Sequence, residues 1–253
     1  MPSDGRGRLT GGVRAAGRAL GLLASTAAML VAAELDVRVR GEPALRWDRW
    51  IRRWAQMQLR LFGAEVRCLG SAPAPRAGRL VVANHRSPLD VVVLLSRFGG
   101  RLLARADLAR WPVLGEAARR AGTLFVDRGE HRSGARALRA IRRALAAGQT
   151  VHVFPEGTTV AGDEVRPFHA GAFAAVRGLD ADVVPVGLAY PAGVEFTEDS
   201  FVAHLRRVAA RPRTPVGVAI GAPLTLDGDA TALAQRARQS VAALVREARS
   251  LVG

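Results

Sequence analysis

Two side chains five positions apart offer proton-transfer chemistry: His85 and Asp90, in Val81-Val82-Ala83-Asn84-His85-Arg86-Ser87-Pro88-Leu89-Asp90. An imidazole can take a proton from a hydroxyl, and a nearby carboxylate can hold its tautomer and stabilise the imidazolium that forms. The same stretch also reads as a capping box. In that reading Asp90, three residues after Ser87, bonds back to the Ser87 N–H and does no chemistry. Two further polar clusters follow short apolar runs: Asp127-Arg128, and Glu156-Gly157-Thr158-Thr159.

The elements that must position these groups can be read around them. Val81 to Ala83 ends a buried β-branched run, a strand by its pattern, and Ser87-Pro88 predicts a helix start with Ser as N-cap and Pro at the first helical position. His85 then lies just past the carboxyl end of a strand, the edge of an open α/β sheet where ligands bind. Thr123–Val126 and Val151–Phe154 predict two more strands, each ending at one of the polar clusters. Val183–Val186 and Val216–Ile220 predict two others. Between and after them lie helical patterns: one capped at Ser133 and stopping at Gly148, and a closing helix from Thr231 to Leu251. Strands separated by helices predict an α/β fold, a central mixed sheet flanked by helices. If the strands are neighbours, the three clusters converge on one edge. A histidine base, an arginine and a glycine turn with free N–H groups would there suit acyl transfer to a hydroxyl on an anionic lipid.

The N-terminal quarter has a different character. Residues 1–14 are rich in Gly and Arg and read as a disordered basic tail. Ala19 to Ala33 carries no charge and as a helix would span about 22 Å, short of the roughly 30 Å hydrocarbon core of a bilayer. A short inserted helix, an in-plane helix and a signal peptide with Val31-Ala32-Ala33 as a cleavage-like site all fit it. Trp47, Trp50, Ile51 and Trp54 then share one face of a helix whose other side carries Arg49, Arg52, Arg53 and Arg60, a pattern suited to a bilayer interface. Residues 15–64 are therefore expected to form a two-helix, membrane-associated anchor, and 65–253 the domain that carries the chemistry.

Composition narrows the classes. The 253 residues are 49% hydrophobic, enough for one large domain plus an appendage. The net charge is +15, with 37 arginines and no lysine, which favours an anionic partner such as a membrane surface. Nucleic acid would also suit that charge, but it leaves the apolar run and the Trp helix unexplained. Cys68 is the single cysteine, so no internal disulfide or cysteine metal cluster forms, and five scattered histidines argue against a metal site. No G-x-S-x-G nucleophile elbow occurs, and Gly5-x-Gly7 lacks the third glycine of a dinucleotide loop.

The motifs also carry a resemblance. Asn84-His85-Arg86-Ser87-Pro88-Leu89-Asp90 matches the N-H-x-x-x-x-D motif of the glycerophospholipid acyltransferases, the 1-acyl-glycerol-3-phosphate acyltransferase type. Gly122 to Arg128 resembles their second motif, Phe154-Pro155-Glu156-Gly157-Thr158 their third, and Val183-Val184-Pro185-Val186 their fourth, in the same order. The resemblance implies His85 as general base, Asp90 as its orienter and Arg128 as a phosphate contact. Asn84, Glu156, Gly157, Thr158 and Thr159 would shape the acceptor site. It implies an acyl-CoA or acyl carrier protein thioester as co-substrate, a lysophospholipid acceptor, no cofactor, no metal, no nucleic acid, and a place on the cytoplasmic face of the cell membrane. The leading acceptor is then 1-acyl-glycerol-3-phosphate. Thr159 stands where the family usually has Arg, and His169 where a basic residue is common; both departures weaken the case for a phosphate monoester acceptor, and the Thr158-Thr159 pair resembles acyltransferases of other lysolipids such as lyso-ornithine lipid. A non-catalytic anionic-lipid-binding protein is the remaining reading.

Overall fold

The computed structural model describes residues 4–74, 77–127, 131–197 and 200–252. In chain order these form α1 (Asp4–Arg40), α2 (Pro43–Leu61), β1 (Ala64–Leu69), β2 (Gly78–Ala83), α3 (Pro88–Phe98), β3 (Arg101–Arg105), α4 (Leu114–Arg120), β4 (Leu124–Val126), α5 (His131–Ala146), β5 (Thr150–Val153), β6 (Ala181–Ala189), α6 (Phe201–Ala210), β7 (Thr214–Ile220) and α7 (Ala230–Arg249). Short 3-10 segments lie at Ala106–Arg110 and Ala170–Val176.

The seven strands make one sheet in the order β1-β7-β6-β2-β5-β3-β4. The pairings are parallel except between β6 and β7, so the sheet is mixed. β2 sits at its centre and is buried along its whole length. Its alternate residues feed opposite layers, as the period of two demands. Leu80 and Val82 pack with Ile141 and Leu145 of α5 and Val241 of α7, while Val81 and Ala83 pack with Val93 and Leu94 of α3 and with Val216 and Val218 of β7. Burial on both faces is why β2 reads as a continuous apolar run rather than an alternation. At Gly187 and Gly217 a Cβ would collide with the α7 backbone, so these two positions let that helix lie close against the sheet.

Two strands were absent from the pattern reading. β1 alternates Ala64, Val66 and Cys68 with Glu65 and Arg67 at the sheet edge. β3 is Arg-Leu-Leu-Ala-Arg, built of residues that favour helix, and takes its extended form from its neighbours β5 and β4.

The N-terminus differs from the expectation more sharply. Residues 4–14 are the first turns of α1, not a disordered tail. Arg14 donates to the Ala210 carbonyl at 2.7 Å, and Arg18 to those of Ala209 and Arg211 at 3.1 and 2.5 Å. These are free carbonyls at and just beyond the C-terminus of α6, which a cation satisfies. Further along, Glu34 pairs with Arg120 of α4 at 2.9 Å, so α1 is held to the domain at both ends.

The helix α2 turns its apolar face inward. Ile51 is buried with Ala55 against Leu95 of α3, and Trp47 and Trp54 pack around them. The Trp50 indole donates to Asp36 and that of Trp54 to Thr26, each at 3.0 Å. The indole N–H groups of Trp50 and Trp54 thus meet polar residues of α1, Ile51 is covered by α3, and the three Trp rings stay half-buried. The outward apolar face belongs to α1: Val13, Leu20, Val31 and Leu35 are 54–74% exposed. Leu9–Arg40 is long and apolar enough to cross a membrane by length and composition, with a mean hydropathy of 1.6 in its best window.

Candidate active site

The loop after β2 is held by one carboxylate oxygen. Asp90 Oδ2 accepts the backbone N–H of Arg86 at 2.6 Å and of Ser87 at 2.9 Å, and meets His85 Nδ1 at 2.7 Å. The capping box is present, with Pro88 opening α3. Cap and histidine partner are therefore not alternatives, because the same atom does both. Asp90 is fully buried, while the His85 side chain is 21% exposed. With Nδ1 turned to Asp90, Nε2 is the nitrogen left over, and among the described residues nothing is hydrogen-bonded to it. The His85 ring stacks on Phe154, with centroids 4.0 Å apart and planes within 12°. The imidazole is thus fixed at one nitrogen and one face.

The loop after β5 closes over this one because β5 is the direct neighbour of β2. Arg86 fastens the two. Its guanidinium, 2% exposed, contacts both oxygens of Glu156 at 3.0 and 3.2 Å and donates to the Gly162 and Glu164 carbonyls at 2.6 Å each. The Val160 N–H donates to the His85 carbonyl at 3.1 Å. Burial pushes the Glu156 carboxyl above its usual range, and the Arg86 charge opposes that shift.

The expected acceptor residues fall into distinct groups. Asn84 is buried, and its amide bridges to the Leu188 backbone of β6 in both directions at 2.8 Å. Both of its polar atoms are committed to joining strands, so it does not face a substrate. Glu156 likewise faces Arg86 and not the open edge. The Gly157 N–H, expected to be free, donates to the Phe154 carbonyl at 3.1 Å. The residue sits at φ +75°, and a Cβ there would lie 3.1 Å from the His169 ring. Glycine thus permits both the turn and the approach of His169. Thr158 is exposed and Thr159 half-buried, next to the residue that bonds the His85 carbonyl.

Asp127 follows β4 at the sheet edge, three places from β2. At strand spacing that is about 14 Å away, on the same edge of the parallel strands but not adjacent to His85. Arg128 lies outside the described residues.

Three participants escaped the sequence reading: Arg86, Tyr190 and His204. Arg86 sits inside the motif, but its partner is seventy positions away. His204 of α6 is buried behind the loop, 3.4 Å from Ser87 Oγ, and burial lowers its pKa. Tyr190, the single tyrosine of the chain, is buried at the end of β6.

The comparisons agree with this geometry. Residues 65–189 match the family described as Acyltransferase. A lyso-ornithine lipid O-acyltransferase of Pseudomonas aeruginosa is 32% identical over 237 residues, covering 88% of this chain and 89% of that protein. A 1-acyl-sn-glycerol-3-phosphate acyltransferase of Neisseria gonorrhoeae is 36% identical over 119 residues, 47% of each chain. The crystal structure of the 1-acyl-sn-glycerophosphate acyltransferase of Thermotoga maritima superposes with a TM-score of 0.75 over 96% of this chain and 95% of that one, at 21% identity, a likeness of fold. With the motif loop, its paired carboxylate and a nearly full-length relative in agreement, the chain belongs to the acyltransferase family, among the O-acyltransferases that act on lysolipids.

Proposed function

We propose that the protein completes a two-chain membrane lipid by acylating the free hydroxyl of a lyso-ornithine lipid, with His85 as general base. The observation that carries the chemistry is the pairing of His85 Nδ1 with buried Asp90, which leaves Nε2 for the substrate. Nε2 takes the hydroxyl proton as the oxygen attacks the thioester carbonyl carbon. The C–O bond forms, the C–S bond of the tetrahedral intermediate breaks, and the proton passes from Nε2 to the departing thiolate. Asp90 keeps Nδ1–H in place and stabilises the transient imidazolium.

Thr159 bears on the head group. A guanidinium at 159 would hold a phosphate with paired, charge-assisted bonds, and a threonine hydroxyl offers one neutral bond. A zwitterionic amino-acid head asks less of that position than a phosphate monoester does. The nearly full-length similarity to a lyso-ornithine lipid acyltransferase supports the same choice over 1-acyl-glycerol-3-phosphate. The outer face of α1 would supply membrane contact. Arg14, Arg18 and Glu34 bind the domain while Val13, Leu20, Val31 and Leu35 face out, so the helix would lie along one leaflet, the cytoplasmic one, and deliver lysolipid to the sheet edge. The donor is an acyl thioester, of CoA or of acyl carrier protein.

The test is acyl transfer from a labelled thioester to a panel of lysolipids in mixed micelles. Transfer to lyso-ornithine lipid should be the fastest, and His85→Ala should abolish it. A wild-type protein that binds anionic vesicles and acylates nothing would favour the non-catalytic lipid binder.

A further inference from the structure

The Asp90 carboxylate is lopsided. Oδ2 serves three donors, yet Oδ1 is buried with no hydrogen-bond partner among the described residues. A charged oxygen left so in a protein interior is costly, more so than a neutral group. The hydroxyl of Tyr190 is buried and, among the described residues, equally without a hydrogen-bond partner. The two side chains are close: Tyr190 packs in the same buried cluster as Ala83 and Leu89, the Asn84–Leu188 bonds bring the end of β6 against this loop, and after burial it is the Asp90 charge that holds the phenol well above its ordinary pKa. The other groups around Asp90 are already engaged. His204 contacts Ser87 Oγ and Arg207, Arg86 holds Glu156 and the loop carbonyls, and His85 uses Oδ2.

We infer that Tyr190 is a positioning residue for the catalytic pair: its O–H donates to Asp90 Oδ1, fixing the carboxylate plane so that Oδ2 faces His85 Nδ1 and sharing the negative charge that the imidazolium meets. The inference rests on the reading of His85 as base. An O–H to carboxylate bond is charge-assisted, hence strong and short when it closes. Its loss would leave more charge on Oδ2 and make His85 hold its proton harder. The carboxylate would also swing more freely about its Cβ–Cγ bond, and the imidazole with it.

Tyr190 being the only tyrosine gives a direct experiment. Tyr190→Phe removes one oxygen and keeps the ring. Growth on 3-fluorotyrosine instead makes the phenol a stronger donor at this position alone. In Tyr190→Phe, kcat should fall about tenfold with both KM values held within twofold, and the acidic limb of kcat/KM against pH should move to higher pH. The fluorotyrosine enzyme should move that limb to lower pH, and its single fluorine resonance should shift on Asp90→Asn. A packing role alone would change the unfolding midpoint and leave the limb in place. If either enzyme's profile superposes on that of the wild type, the inference is overturned. If Tyr190→Phe fails to fold, the fluorotyrosine enzyme decides in the same way. His85→Ala run alongside separates the two claims: an inactive His85→Ala with an unmoved limb refutes Tyr190 only, and an active His85→Ala refutes the base itself.

Discussion

His85 follows β2 and His152 lies within the neighbouring strand β5, and the two are placed very differently. His152 is inside β5, opposite Val81 of β2, and is fully buried. Its Nε2 donates to the Gly99 carbonyl at 2.6 Å, and its Nδ1 has no hydrogen-bond partner among the described residues. Burial lowers its pKa to about 4, so it stays neutral in ordinary conditions. His85, just past the end of β2, has a carboxylate on Nδ1 and an open Nε2. In the proposed mechanism an imidazole becomes a base through its position at the strand end and a charge behind it. Inside the sheet the same ring is a neutral packing group that only loses by being protonated.

The largest effect should separate the two. His85→Ala should lower kcat by about 100- to 10,000-fold, the usual worth of a general base, with the thermal midpoint nearly unchanged. His152→Gln should leave kcat within a fewfold of wild type. Comparable losses of kcat in the two mutants would dissolve the distinction. Next comes the pair that braces the His85 loop. Glu156→Ala strands the Arg86 charge, and removing one partner of a buried ion pair costs about 3–5 kcal/mol. Chemical unfolding in detergent should show that loss, while KM for the acceptor in the folded fraction stays put. A raised KM without loss of stability would return Glu156 to the acceptor site.

A pH titration of stability sharpens the His152 side. Its pKa is depressed on folding, from 6.5 to about 4, so between those values the unfolded chain binds the extra proton. The stability present above pH 6.5 should therefore decline as pH falls, and this contribution should level off below about 4. The drop amounts to about 3 kcal/mol. His152→Gln should flatten much of this slope, with His204, also lowered by burial, leaving a remainder of the same sign. A slope unchanged by the mutation would mean that His152 is not the group being protonated. The smallest effect belongs to the head group. Thr159→Arg should raise kcat/KM for lysophosphatidic acid relative to lyso-ornithine lipid by up to about tenfold, equivalent to ~1.4 kcal/mol. A ratio that stays constant would remove Thr159 from the acceptor site.

What could be read from the sequence was whatever depends on neighbours in the chain. The strand before Asn84, the Ser87 cap and the five-residue step from His85 to Asp90 are local patterns, and they appear as expected. The resemblance implies acceptor contacts for the Glu156 carboxylate and the Asn84 amide, and nothing near either in sequence tells of its actual partner, Arg86 for the one and the Leu188 backbone for the other. Tyr190 gave no signal at all, because its neighbour Asp90 is a hundred positions earlier and meets it only across the sheet. The Trp face of α2 was ambiguous for a related reason. An apolar helical face reads alike whether lipid or another helix covers it, and only the side chains of Asp36 and Thr26 settle which way the indoles turn.

The most direct measurement is a competition: purified protein, a labelled acyl thioester, and equal amounts of lyso-ornithine lipid and lysophosphatidic acid in one micelle, for the wild type and His85→Ala. The account predicts acylation of both acceptors by the wild type with lyso-ornithine lipid favoured, and neither product from His85→Ala. Preference for lysophosphatidic acid would contradict the head-group assignment, and substantial product from His85→Ala would contradict the mechanism.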